Sequence, residues 1–143
     1  MSKTFSLYIQ FDGNCREAVE FYAKVFESEV QDLMTYGEMP SDPNNPVSDA
    51  DKENILNSVI PIFGCNVIFC DVPSEMPLTK GDNISPNLRT DDTEEIRRVF
   101  AELSQGGEVF IGLGKAFGSE LYGMVQDKYG VIWQLSHDGG KLA

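Results

Sequence analysis

The chain is poor in the residues that most often carry chemistry. It has one histidine, His137, and three cysteines, Cys15, Cys65 and Cys70, with no CxxC spacing. An odd, unpaired set of thiols excludes a disulfide framework and a structural zinc site as readings. Basic residues are also scarce: 11 Lys and Arg stand against 23 Asp and Glu, a formal net charge of −12. Apart from Arg97-Arg98, which reads as the solvated edge of a helix, they are scattered singly. Nothing supplies the cationic cluster that phosphate neutralisation needs, so neither nucleic acid nor an anionic lipid surface is an expected partner. No apolar run approaches the length of a membrane span. The opening MSKTFSLYIQF lacks a signal peptide's apolar middle and small-residue cleavage site, and cytoplasmic residence is the expectation.

What is present is a pattern of short elements. Residues 5–11, FSLYIQF, alternate as a strand does. Asp12-Gly13-Asn14 supplies turn and helix-entry chemistry. Ala18, Val19, Phe21, Tyr22, Val25 and Phe26 then fall on one broad helical face, predicting a helix over about 15–27. VQDLMTYGEM has strand character and ends in a turn. Residues 40–54, PSDPNNPVSDADKEN, are rich in proline, asparagine and acids and read as a mobile, solvated loop. An EF-hand is excluded there, because Asn54 and Ile60 stand where Gly and Glu are needed. Two strands follow, ILNSVIPIF and CNVIFCDV, and then the loop PSEMPLTKGDN.

The order then repeats. ISPNLRT reads as a strand and Asp91-Asp92-Thr93-Glu94-Glu95 as an acidic helix start suited to the positive helix end. A helix runs through Leu103, Gly106-Gly107 close it, and EVFIGL, ELYGMVQ and VIWQLS are strands. Val67-Ile68-Phe69-Cys70 matches Val131-Ile132-Trp133-Gln134 in place and character. The chain therefore reads as strand–helix–three strands written twice, over about 5–72 and 82–137 within a single domain of 143 residues. The predicted class is α+β: two βαβββ modules forming a curved, cup-shaped mixed sheet with helices on the outer face.

This order resembles the vicinal oxygen chelate superfamily, which includes glyoxalase I, extradiol dioxygenases, and fosfomycin- and bleomycin-resistance proteins. The residues from Tyr8 to Tyr22, Tyr36-Gly-Glu-Met-Pro40, Asp71 with Pro73, Asp91 to Glu95, Gly106-Gly107 and Tyr122 to Trp133 resemble its PhnB-like branch. That branch usually carries Phe-Trp where this chain has Phe117-Gly118. The resemblance implies a ligand-cupping fold and a homodimer. Some relatives bear the label demethylubiquinone methyltransferase, which implies an S-adenosylmethionine loop; Gly112-Leu-Gly114 is the nearest glycine cluster and lacks the strand–turn–helix context.

Alternation sorts the side chains of four strands. Leu7, Ile9 and Phe11, Val67 and Phe69, Ile84 and Leu88, and Val131, Trp133 and Leu135 are expected under the helices. Tyr8, Gln10, Cys70, Ser85, Asn87, Arg89, Gln134 and Ser136 then face the other way. Superfamily metal ligands carried onto these positions fall on Gln10 or Tyr8, Cys70, Ser85 or Asn87, and Gln134. A neutral thiol and amides are a poor donor set for a divalent ion, so no cofactor and no metal is expected. Cys70 reads either as a small buried apolar residue or as part of the cavity. Arg89 reads either as a surface partner of Glu94 or Glu95, or as an anchor for a carboxylate or phosphate. Phe117 and Tyr122, with Tyr8, read as core aromatics or as ligand wall. His137 is expected on the exposed tail, and Glu38 is a base only if it reaches the cavity. The functional expectation is a metal-free small-molecule-binding protein with ligand contacts from Tyr8, Gln10, Cys70, Asn87, Arg89, Phe117, Tyr122 and Gln134. The alternative is a lyase- or dioxygenase-like enzyme of the same superfamily acting on a small oxygenated substrate.

Overall fold

The computed structural model describes residues 2–139, and the chain divides after Thr79 into two compact units. The first contains β1 (Leu7–Phe11), α1 (Cys15–Val25), β2 (Gln31–Thr35), a 3-10 turn (Tyr36–Glu38), β3 (Ile55–Ile62) and β4 (Cys65–Asp71). The second contains β5 (Asn87–Thr90), α2 (Thr93–Ser104), β6 (Glu108–Ala116), β7 (Ser119–Gln126) and β8 (Ile132–His137). Each unit folds into a mixed four-stranded sheet of the same topology, β1-β4-β3-β2 and β5-β8-β7-β6. In both, the first strand lies parallel beside the last and the remaining pairs are antiparallel. The α+β class and the doubled βαβββ order are thus as the sequence predicts.

In the first unit α1 packs on β3 and β4. Its buried face is Cys15, Ala18, Val19, Tyr22 and Val25, recurring at the three- and four-residue spacing of one helical stripe. Tyr22 stacks on Phe69 at 5.1 Å between ring centroids, and Phe11 lies 6.2 Å from Phe69. Such ring pairs each contribute about 0.5–1.5 kcal/mol beyond area burial. The entry of α1 differs from the sequence expectation. Asn14 stands at the cap position but makes no capping bond with its side chain. Instead the carboxylate of Asp71, buried at the end of β4, accepts from the Gly13 amide at 2.8 Å and the Cys15 amide at 3.0 Å. Its other oxygen accepts from the Ile55 amide at 2.9 Å. One anion therefore satisfies the helix's orphan donors, complements its dipole and ties α1 to two strands.

In the second unit α2 buries Ile96, Val99, Phe100 and Leu103 and is capped locally, Asp92 accepting from the Glu95 amide at 3.1 Å. Trp133 is 1% exposed. Its indole N–H donates to Asp127 at 2.9 Å, and that carboxylate also accepts from the Tyr129 and Val131 amides. A side chain at Gly107 would overlap the Gln126 carbonyl, so only glycine lets β6 approach β7 at its start.

Several boundaries and faces need correction. Pairing of β5 begins at Asn87, and Ile84 is 75% exposed rather than sharing the helix face with Leu88. Pro86, without an N–H, cannot donate to a ladder, although its carbonyl accepts from the Gln134 amide. Phe5 lies outside β1 and is exposed. His137 is no tail residue: it ends β8 opposite Thr90, half-buried, with its carbonyl accepting from Ser119. No helix among the described residues is long and apolar enough to cross a membrane.

Candidate functional site

On the second unit's sheet, register lays side chains out in rows. Arg89 pairs with Ser136 and Ser136 with Tyr122; Asn87 pairs with Gln134 and Gln134 with Met124. Partners across a ladder share a face, so these six occupy the face opposite the one carrying Leu88 and Leu135. Within it the polar groups bond one another. The Tyr122 hydroxyl donates to Gln134 Oε1 at 2.6 Å, and Gln134 Nε2 donates to the Ser85 hydroxyl at 2.7 Å. The Ser136 hydroxyl reaches Asn87 Oδ1 at 3.5 Å. Phe117 leans on Tyr122 edge to face, centroids 5.1 Å apart. The structure therefore brings Phe117, Tyr122 and Gln134 together, and places Asn87, bonded separately to Ser136, on the same face. Arg89 is exposed on the same face and enters no ion pair among the described residues, with Glu94, Glu95 or any other acid.

The turn that presents Phe117 explains the missing tryptophan. Ala116 pairs with Ser119 across a two-residue loop, and Phe117 and Gly118 take φ of +49° and +78°. That is the signature of a type I′ hairpin turn, which wants glycine at its second position. Phe117 pays steric strain in its left-handed conformation and is 81% exposed.

On the first unit's sheet Gln10 pairs with Cys70 and Tyr8 with Ile68. Cys70 is 3% exposed, while Tyr8 is about half exposed. The Tyr8 phenol is in hydrogen-bonding contact with the Cys70 thiol; that contact, and secondarily burial, push its pKa up to about 12. Tyr8 is therefore a neutral phenol across the physiological range. Cys15 lies in the core, where loss of hydration pushes its thiol strongly upward. All three cysteines are free thiols.

The carboxylates near these faces are already committed. Asp71 and Asp127 are saturated by backbone and indole donors. Glu38 accepts from the Thr35 hydroxyl at 3.0 Å and its amide at 3.4 Å, so it caps its own turn. Asp51 corrects the solvated-loop expectation. It is 4% exposed and accepts from the Ser74 amide and hydroxyl at 3.1 and 3.2 Å and from the Asn54 amide group. The Ser74 backbone donor holds its pKa below the ordinary aspartate value. Asp51 also lines a recess of about 890 Å³ beneath residues 40–48, with Tyr36, Met39 and Pro73. Sequence reading missed this recess, although Tyr36-Gly-Glu-Met-Pro40 is one of its walls. Tyr36 is tied down by its hydroxyl donating to the Asp71 carbonyl at 2.7 Å. With Asp42 and Asp51 spent on turns, the recess offers less recognition chemistry than the sheet face.

Neither implied cofactor suits these residues. Among the described residues no three His, Cys, Asp or Glu side chains cluster as metal ligands. The amide at Gln134, where the superfamily's ligand would stand, already bonds Tyr122 and Ser85. Gly112 and Gly114 lie inside β6, which leads into a hairpin rather than a helix. The strand-to-helix turn that does hold glycine, Asp12-Gly13-Asn14, has its Gly13 amide and the Cys15 amide that follows occupied by Asp71.

Comparison with known proteins agrees with this architecture. A family model described as 3-demethylubiquinone-9 3-methyltransferase matches residues 3–136. Protein YjdN of Escherichia coli K12 is 25% identical over 138 residues, covering 92% of both chains. The crystal structure of protein PA1353 from Pseudomonas aeruginosa superposes with a TM-score of 0.84 at 26% identity, covering 95% of this chain and 98% of that one. A Bacillus cereus protein titled putative 3-demethylubiquinone-9 3-methyltransferase, PhnB protein, gives 0.76 at 27% identity, covering 94% and 99%. The fosfomycin resistance protein FosX of Listeria monocytogenes, at 13% identity and a TM-score of 0.61 over 95% of this chain and 93% of that one, shares the fold alone.

Proposed function

The chain belongs to the 3-demethylubiquinone-9 3-methyltransferase family, the PhnB-like branch of the vicinal oxygen chelate superfamily, and on that premise we propose that it is a metal-free small-molecule-binding protein. The observation that carries this reading is the Tyr122–Gln134–Ser85 chain beside the unpaired Arg89. It is a set of fixed polar anchors flanked by aromatic rings, which is what a small ligand needs for orientation. Chemistry on a bound ligand needs more. General acid–base catalysis wants a titratable group free to exchange a proton near neutral pH. Here the buried carboxylates are consumed by amides, and Tyr8 stays protonated. Methyl transfer as in the family's title would require a donor site, and the glycine positions do not supply one.

Sequestration or sensing in the cytoplasm, by a homodimer, fits these features. A thermal-shift screen of the purified protein against small carboxylates, phosphonates and aromatic compounds, with metal analysis of the same sample, tests the reading. A ligand at 100 times its Kd should stabilise the fold by about 2.7 kcal/mol. A stoichiometric transition metal in the protein as purified would overturn the proposal in favour of catalysis.

A further inference from the structure

The second unit's face has a hydrogen-bond polarity that selects its ligand. Tyr122 donates to Gln134 Oε1, so the amide's carbonyl is taken. Gln134 Nε2 then donates to Ser85 Oγ, so the serine oxygen is an acceptor in that bond and its own proton points elsewhere. Asn87 Oδ1 is likewise taken by Ser136, which leaves the Asn87 amino group. The side chains left to meet a ligand from β5 and the residues just before it are thus donors: the Ser85 hydroxyl, the Asn87 amino group and the Arg89 guanidinium. Asn87 and Arg89 alternate along β5 and share a face, and Ser85 meets that face through its bond to Gln134.

Charge sharpens the argument. Acids outnumber bases by about two to one in this chain, yet Arg89 finds no acidic partner among the described residues. One planar cation with two flanking donors matches one carboxylate better than a doubly charged phosphate. Across the ladder, Arg89, Ser136 and Tyr122 form one row. The row places the Tyr122 backbone two strand spacings, roughly 10 Å, from that of Arg89. Phe117 extends the Tyr122 ring as an exposed aromatic kept in a strained conformation.

We infer that the ligand is an amphipathic monocarboxylate, its carboxylate held by Arg89, Asn87 and Ser85 and its apolar or aromatic body lying across β8 toward Tyr122 and Phe117. The inference rests on the binding reading above and adds the ligand's class and its direction on the sheet.

Calorimetric titration with phenylacetate, 4-phenylbutyrate, 6-phenylhexanoate and the three corresponding amides tests it on the full chain. The longer acids should bind at least about tenfold more tightly than their amides, the size of one charge-assisted contact. Arg89→Ala should erase that preference, and Arg89→Lys should restore part of it. Phe117→Gly should weaken the acids severalfold while raising Tm, because it removes strain and an aromatic wall together. A merely structural phenylalanine would move only the second quantity. Equal binding of acids and amides overturns the inference and leaves the binding reading standing. Binding by none of the six overturns the inference, whereas the binding reading falls only if the wider thermal-shift screen also finds no ligand.

Discussion

Asp71 shows how much a single side chain can carry. Its two oxygens accept from three backbone amides, two at the start of α1 and one at the start of β3, and it is 1% exposed. A buried amide left without an acceptor costs about 1–3 kcal/mol. Asp71→Ala should therefore destabilise the fold by about 3 kcal/mol or more, measured by urea denaturation. Asp71→Asn should recover only part of this, since its amino group would face a donor. Asp12, which sits in the turn itself but is exposed, is the control: Asp12→Ala should cost less than about 0.5 kcal/mol. Equal effects of the two alanine variants would mean that the helix is capped from its own turn after all.

Elements repeat this contrast between local and distant causes. The cap of α2 is legible from sequence because Asp92 and the amide it holds are three residues apart. That of α1 is not, because its acceptor lies 56 residues away. Alternation likewise finds that Asn87, Arg89 and Gln134 share a face. It does not find that Tyr122 bonds Gln134, since register depends on how β7 meets β8. The 40–54 segment misleads in another way: its composition averages over residues, and one of its acids, Asp51, is the buried pin of the turn that follows. That pin titrates. With its folded pKa held low by Ser74, the stabilisation is complete above the ordinary aspartate value of about 3.9 and is lost as pH falls through the lower folded value. Protease cleavage within residues 40–54, or exchange of the Ser74 amide, should accelerate as pH falls below about 4. Asp51→Asn should already be fast at pH 6 and show little further change. Asp42 and Asp49 also have lowered pKa values, from the Asn44 amide and Lys52 respectively, but both are exposed and contribute little.

At the scale of the whole molecule, a net charge of −12 opposes the ligand class that Arg89 selects. The two act over different ranges. The guanidinium attracts a carboxylate at contact, whereas the summed charge repels it across the Debye length, about 30 Å at 0.01 M salt and 8 Å at 0.15 M. Added salt should therefore speed the encounter by screening the repulsion, on the order of threefold in association rate between those concentrations. It should also speed dissociation, because the contact pair weakens. Most charged ligands that bind oppositely charged proteins show the reverse dependence of association. Stopped-flow measurement with 6-phenylhexanoate and its amide separates the terms, since the amide feels neither. Association of the acid that slows with salt would mean that the local field around Arg89 dominates the approach. The strongly acidic surface would then have no part in choosing which small molecules arrive.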